Sequence, residues 1–361
     1  MPTLLLLVAI LGFQSTPSIE ETFRNEAAKQ DAVGIALGVV QNGHPIVTLV
    51  DGFEDRENEI HVSDETMFRW ASISKPLTAI VAAKLAIEGK LDLDENIRTY
   101  VPEFPEKDPD NPITTRLLLG HLAGIVHYTN GPVIPTLRRY EQEHPYEDVV
   151  LSLDTFNNSP LVSIPGEAFN YSTRGFMLAS AVIERAGGAP FHELVETYIS
   201  KPLGLTTLRP DYQWEEISHR AVGYRKRSGA IVPSTNTDVS WKLGGGGFIS
   251  SIGDLARFTE GLLDPAFITP PMRALLWTTQ ATSEGKKTNY GMGFGVKRVE
   301  GNRLLIEHSG AQEKTRTIML VFPDDDIAVT LMTNSEYVKP LPLAHSIATS
   351  LFHEESKEDA P

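Results

Sequence analysis

Apolar and β-branched residues fill positions 33–40 and 46–50 on either side of Gln41-Asn42-Gly43-His44, an Asn-Gly turn signal that predicts two antiparallel opening strands. The period then changes from two to 3.6. Ile73, Leu77, Ile80, Val81 and Ile87 fall on one face of a helix that ends at Gly89 and is expected to lie against the sheet. Between residues 91 and 236, proline clusters at 102–112 and 132–145 break the pattern into helices and irregular connections, a second, mainly helical lobe. Beyond it, Gly244-Gly245-Gly246-Gly247-Phe248 leads to a helix with Ser or Asp capping candidates around residues 250–258. Residues 303–307, 315–322 and 327–333 read as three more strands, the last two joined at Pro323-Asp324-Asp325-Asp326, and 341–352 as a final helix. The order predicts an α/β (α+β) fold. Its antiparallel sheet draws strands from both ends of the chain: residues 19–90 and 237–353 form the sheet-containing lobe, 91–236 the inserted helical lobe, and 354–361 a solvated tail.

The chain is long enough for a large core, and no internal repeat is visible. With 32 Lys and Arg against 47 Asp and Glu, the formal net charge is -15, which argues against binding nucleic acid or anionic membrane. There is no cysteine, so disulfides and thiolate chemistry are excluded. The apolar block at residues 4–11 is too short for the roughly 20 residues of a spanning helix and has the length of a secretory core. Residues 1–18 are therefore read as a signal peptide, placing the mature protein in the periplasm or outside the cell without stable membrane insertion. No Lys or Arg precedes the block and no A-x-A site follows it, which leaves a retained anchor as the other reading.

Candidate chemistry changes the picture most at Ser72-Ile73-Ser74-Lys75. Residues three apart on a helix share a face, so S-x-x-K at a helix start brings a hydroxyl within reach of an amine, a minimal kit for acyl transfer. Pro76 is tolerated only in a first turn, so the helix is expected to begin near Ser72. Tyr171, between Pro165-Gly166-Glu167-Ala168-Phe169-Asn170 and an apolar helical run, stands at a loop-to-helix junction from which a phenol can enter a cleft. His308-Ser309-Gly310-Ala311 closes the strand at 303–307 with small residues, as an oxyanion-binding turn would.

In this order and at these separations the three segments resemble the serine β-lactamase and penicillin-binding-protein superfamily, specifically its class C, β-lactamase-related branch. That branch carries S-x-x-K, then Y-x-N or Y-S-x, then K-T-G or H-x-G. The resemblance runs from about residue 23 to 352. It extends to His121-Leu122-Ala123-Gly124-Ile125-Val126-His127-Tyr128, the four glycines and Tyr290-Gly291-Met292-Gly293-Phe294-Gly295, which look most like the mitochondrial serine β-lactamase-like group and its bacterial relatives. It implies the β-lactamase/DD-peptidase-like fold, with Ser72 as acylated nucleophile and Lys75 and Tyr171 as proton-transfer partners. His308 stands in the place of the K-T-G lysine, and the backbone N–H groups of Ser72 and Ala311 form the oxyanion hole. Thr173, Ser309 and Gly310 would contact substrate. Whether Lys75 or Tyr171 is the base stays open, because both ordinarily hold their protons at neutral pH.

Two departures bear on substrate. Thr173 stands where the family often has an asparagine that holds the acyl side chain, and a mostly neutral His308 grips a carboxylate less firmly than a lysine. Both favour an esterase or peptidase acting on small-molecule or peptide substrates. The alternatives are a β-lactamase or D-Ala-D-Ala carboxypeptidase and, in another class, a non-catalytic binding or filament-forming protein; self-association is compatible with either. No cofactor or metal is expected: His192-Glu193 lacks the second histidine of a zinc helix, and the four glycines lack the Gly-Lys-Ser/Thr of a phosphate loop, so close packing beside the site is the reading for them. Lys287-Thr288-Asn289 imitates K-T-G without its glycine. His121 and His127 are read as loop anchors.

Overall fold

The computed structural model describes residues 18–358. The expected signal peptide therefore lies almost wholly outside the described residues. Helix α1 (Ile19–Lys29), not anticipated from the sequence, opens on a capping box in which Ser18 and Glu21 satisfy each other's backbone amides. The opening hairpin follows as β1 (Gly34–Gln41) and β2 (His44–Asp55), with Asn42 and Gly43 both at positive φ, as a two-residue turn of this hand requires.

The sheet has seven antiparallel strands. Besides β1 and β2 they are β3 (Ile60–His61), β4 (Gly295–Arg298), β5 (Leu304–Gln312), β6 (Thr315–Phe322) and β7 (Ile327–Thr333), in the spatial order β3-β2-β1-β7-β6-β5-β4. The first and last parts of the chain meet at the centre, where Ile35 pairs with Thr333 and Val39 with Val329. Both faces of the sheet's centre are covered, which is why β1, β6 and β7 read as nearly continuous apolar runs. Ile35, Leu37, Val39, Leu320 and Leu331 face α1 and the C-terminal helix (Pro340–Glu358), while Ala36, Val40, Met319 and Met332 face the larger core. The final helix runs to Glu358, into the stretch expected to be a solvated tail.

Three sequence expectations need correction. Helix α2 (Ser74–Ile87) does not lie against the sheet. It is buried among other helices, with Ser74 to Ala83 and Leu85 all inaccessible, and packs against α3 (Thr173–Gly187) and the Leu243–Gly246 turn. The helix on the sheet's inner face is α4 (Ile252–Leu263), capped by Ser251 as its sequence suggested. Ile87, assigned to the apolar face of α2, is 51% exposed because the helix reaches the surface in its last turn. Finally, β5 does not stop at Glu307: pairing with β6 continues to Gln312 opposite Thr315, so His308 to Ala311 are strand residues, with side chains alternating between the two faces.

Candidate active site

The segment bearing Ser72 is held from three sides. Phe68 and Arg69 pair with Ser250 and Ile249, and the Trp70 indole donates to Ser250 Oγ at 2.6 Å. Thr315 and Thr317, on β6, donate their hydroxyls to the carbonyls of Arg69 and Trp70, both at 3.0 Å. Gly310 on β5 lies so near that a Cβ there would stand 2.5 Å from the Trp70 carbonyl oxygen. Between these clamps Ala71 takes φ +49°, a left-handed conformation that an L-residue adopts only under constraint, and Ser72 follows in a 3-10 turn (Ala71–Ile73) at the mouth of α2. Pro76 sits in the first turn of α2, as required, while Ser72 lies just outside the α-helix proper.

Lys75 Nζ lies 3.0 Å from Ser72 Oγ, 2.8 Å from the Gly245 carbonyl oxygen and 3.4 Å from Thr173 Oγ1. It is fully buried, and among the described residues no carboxylate pairs with it; burial, with the positive charge of Lys242 adding to it, holds its pKa well below 10.5. The hydroxyl of Ser72, the Gly245 carbonyl and the hydroxyl of Thr173 all accept from the amine, and the lowered pKa makes Lys75 easier to deprotonate than an exposed lysine. The four-glycine segment supplies the carbonyls. Gly244 accepts from Thr78 at 2.6 Å, and a Cβ on Gly245 would come within 2.6 Å of Thr173 Cγ2, so the close packing expected of these glycines is what they provide.

Tyr171 lies on the opposite wall, with the centre of its ring 4.9 Å from Lys75 Nζ. Burial raises its phenol pKa well above 10, and hydrogen bonding with Ser72 offsets only part of this. Two histidines place the tyrosine loop. His121 Nδ1 accepts the Ser172 amide at 3.1 Å and His127 Nδ1 the Thr173 amide at 3.2 Å. Burial, followed by the charge of Lys75, depresses both imidazoles, that of His127 to about 4, so each stays an acceptor at neutral pH.

Ser72, Tyr171, Thr173, Ser309 and Ala311 border one cleft of about 820 Å³. His308 does not. It is 6% exposed and turned behind the cleft, where Nδ1 donates to the Ser309 carbonyl at 2.8 Å and Nε2 accepts the Tyr290 hydroxyl at 2.9 Å; burial lowers its pKa to about 3. Its expected place as a substrate contact fails because the strand continues and alternation sends residue 308 inward while 309 and 311 face out. Gly310 is buried under the Ala71 turn, and Thr173 spends its hydroxyl on Lys75. Sequence reasoning missed Tyr128, Trp241 and Lys242, which also line the cleft; the one available signal was their position beside motifs already noted. Among the described residues no group of three or more His, Cys, Asp or Glu side chains is placed to hold a metal ion.

The family model described as Beta-lactamase matches residues 19–350. The chain belongs to the β-lactamase family. Within it, the chain is 30% identical to the human (Homo sapiens) mitochondrial serine beta-lactamase-like protein LACTB, over 81% of its own length and 69% of the human protein's. Among solved structures it resembles the octameric penicillin-binding protein homologue from Pyrococcus abyssi, with a TM-score of 0.76 at 23% identity, covering 93% of this chain and 77% of that one. It also resembles a D-stereospecific amidohydrolase from Streptomyces sp., with a TM-score of 0.73 at 24% identity, covering 91% and 97%. The fold is thus the β-lactamase/transpeptidase-like one that the sequence predicted, in a family of serine hydrolases.

Proposed function

We propose that this chain hydrolyses ester or peptide-like substrates through an acyl-enzyme on Ser72. The supporting observation is the Lys75 amine, buried without a counter-ion among the described residues and 3.0 Å from Ser72 Oγ. In this reading Lys75 is the base and Tyr171, a phenol that keeps its proton, is the relay. As Ser72 Oγ bonds to the acyl carbon, its proton passes to Lys75 Nζ, and the carbonyl oxygen gathers negative charge near the backbone amides of Ser72 and Ala311. Collapse of this intermediate breaks the bond to the leaving group, which takes the proton from Lys75 through the Tyr171 hydroxyl. Water then attacks the ester, giving its proton to Lys75 and its oxygen to the product acid, and Ser72 recovers its proton.

A fluorophosphonate probe is expected to label the wild-type protein on Ser72 and to leave Ser72→Ala unlabelled; equal labelling of both removes Ser72 from the mechanism. The runner-up, β-lactam or D-Ala-D-Ala turnover, is disfavoured by the inward-facing His308, and turnover of nitrocefin faster than of a short p-nitrophenyl ester would reverse that order. The octameric state of the Pyrococcus abyssi homologue makes self-association a second proposal, read by light scattering.

A further inference from the structure

Tyr171 is framed by backbone amides that a single other segment receives. The amides of Asn170, Ser172 and Thr173 donate to the His121 carbonyl at 2.8 Å, to His121 Nδ1 at 3.1 Å and to His127 Nδ1 at 3.2 Å. Ser172 caps α3 and Thr173 opens it, so the last two are among the amides for which a helix has no acceptor of its own. The same imidazoles bracket the tyrosine ring. The centre of the His121 ring lies 4.2 Å from it, inclined by 41°, and that of His127 5.5 Å from it, inclined by 84°. Accepting at Nδ1 puts the one hydrogen of each neutral ring on Nε2. For His121 this is costly: Nε2 is buried beside the rings of Tyr171, Phe176 and Tyr290 with no hydrogen-bond partner among the described residues, and the backbone takes φ +59°. A side chain that only filled space would incur neither cost.

We propose that His121 and His127 are positioning residues for the reaction: two neutral acceptors that hold the backbone around Tyr171 so that its phenol meets Ser72, a clamp that acid opens. The assignment rests on the hydrolase reading above and deepens it by naming what places the relay. Because Nε2 already carries the hydrogen, a second proton can bind only at Nδ1, where it displaces the amide of Ser172 or Thr173. The charged groups facing His127 are Lys75 from α2, Arg174 from α3 and Lys242 from the 3-10 turn Ser240–Lys242, with the phenols of Tyr128 and Tyr171 beside it. Those facing His121 are Lys75, His308 and His127, with the phenols of Tyr171 and Tyr290 against its ring. Burial first, then the charge of Lys75, keeps both rings neutral at neutral pH and brings His127 to protonation at about 4. His127 lines the cleft, so it is the member of the pair that acid reaches first.

The test is the ratio of kcat/KM for methyl butyrate over p-nitrophenyl butyrate in the full chain. Both esters deliver the same acyl group, so effects on Ser72 and Lys75 cancel, and only the methoxide needs a proton from the relay to leave. His127→Leu, which offers no acceptor, should lower the ratio about tenfold, the worth of one hydrogen bond. His127→Asn, whose Oδ1 can stand where Nδ1 stands and does not titrate, should keep most of it. As pH falls through about 4 the ratio should drop in the wild type and stay level in His127→Asn. A ratio unchanged in His127→Leu, or an acid loss equal in His127→Asn and wild type, overturns the proposal. Ring-nitrogen NMR shifts of Ser72→Ala protein read the clamp without turnover, and both rings should carry their hydrogen on Nε2 at neutral pH. Those tautomers in a chain whose wild type cleaves neither ester would leave the frame around Tyr171 standing and sink the hydrolase; cleavage of both esters with the hydrogens on Nδ1 would do the reverse.

Discussion

At the scale of single residues, the decisive quantity is the cost of keeping Lys75 away from water. A lysine whose folded-state pKa is depressed binds fewer protons folded than unfolded, so it weakens folding below its ordinary value of 10.5, most at low pH, and the penalty fades as pH rises towards that value. Lys75→Met is therefore expected to abolish labelling of Ser72 and yet to raise the melting temperature by a few degrees near about pH 7, the gain shrinking in alkali. Paired melts of variant and wild type across pH check the sign; a variant less stable than wild type at every pH contradicts it. His308 illustrates the opposite use of burial. Its neutral ring, fixed between Tyr290 and the Ser309 carbonyl, stiffens the wall behind Tyr171 without entering the cleft.

At the scale of elements, the reactive turn is shaped by the strand pressed against it. Gly310 lets β5 approach the Ala71 turn, where a methyl group would meet the Trp70 carbonyl oxygen at 2.5 Å and the Ala71 Cβ at 3.0 Å. Gly310→Ala should push the two apart, with a loss of about 1–3 kcal/mol in urea unfolding, typical of overpacking, and slower probe labelling of Ser72. Unaltered labelling would mean that the turn holds its shape without the strand. S-x-x-K placed Ser72 and Lys75 correctly through helical spacing alone, because that contact is local. The fate of His308 was not legible, since it depended on how far β5 pairs with β6, a long-range register.

At the scale of the whole molecule, a buried charge cluster ties the segment before Ser72 to residues some 140–150 positions further along the chain. Asp211, fully buried, pairs with Arg69 Nε at 2.5 Å and Arg220 Nε at 3.1 Å, and Arg69 also donates to the Thr237 carbonyl at the edge of the cleft. Asp211→Asn leaves two guanidinium groups without their shared anion, and a loss of about 3–5 kcal/mol is expected, read as a lower urea midpoint with slower Ser72 labelling. A variant within experimental error of wild type would show the cluster to be incidental.

What the sequence by itself determined were features set by local periodicity and ordered motifs: the hairpin at Asn42-Gly43, the strands near both ends, the caps, the family, and the serine, lysine and tyrosine that meet at the candidate site. Only the tertiary structure decided which side chains share the cleft. Strand alternation turned His308 away, helix packing surrounded Lys75 so that it sheds its proton readily, and a turn some 170 residues from the serine brought Lys242 to the wall. Burial and electrostatic environment are set by neighbours remote in sequence, and no local pattern in the chain encodes them.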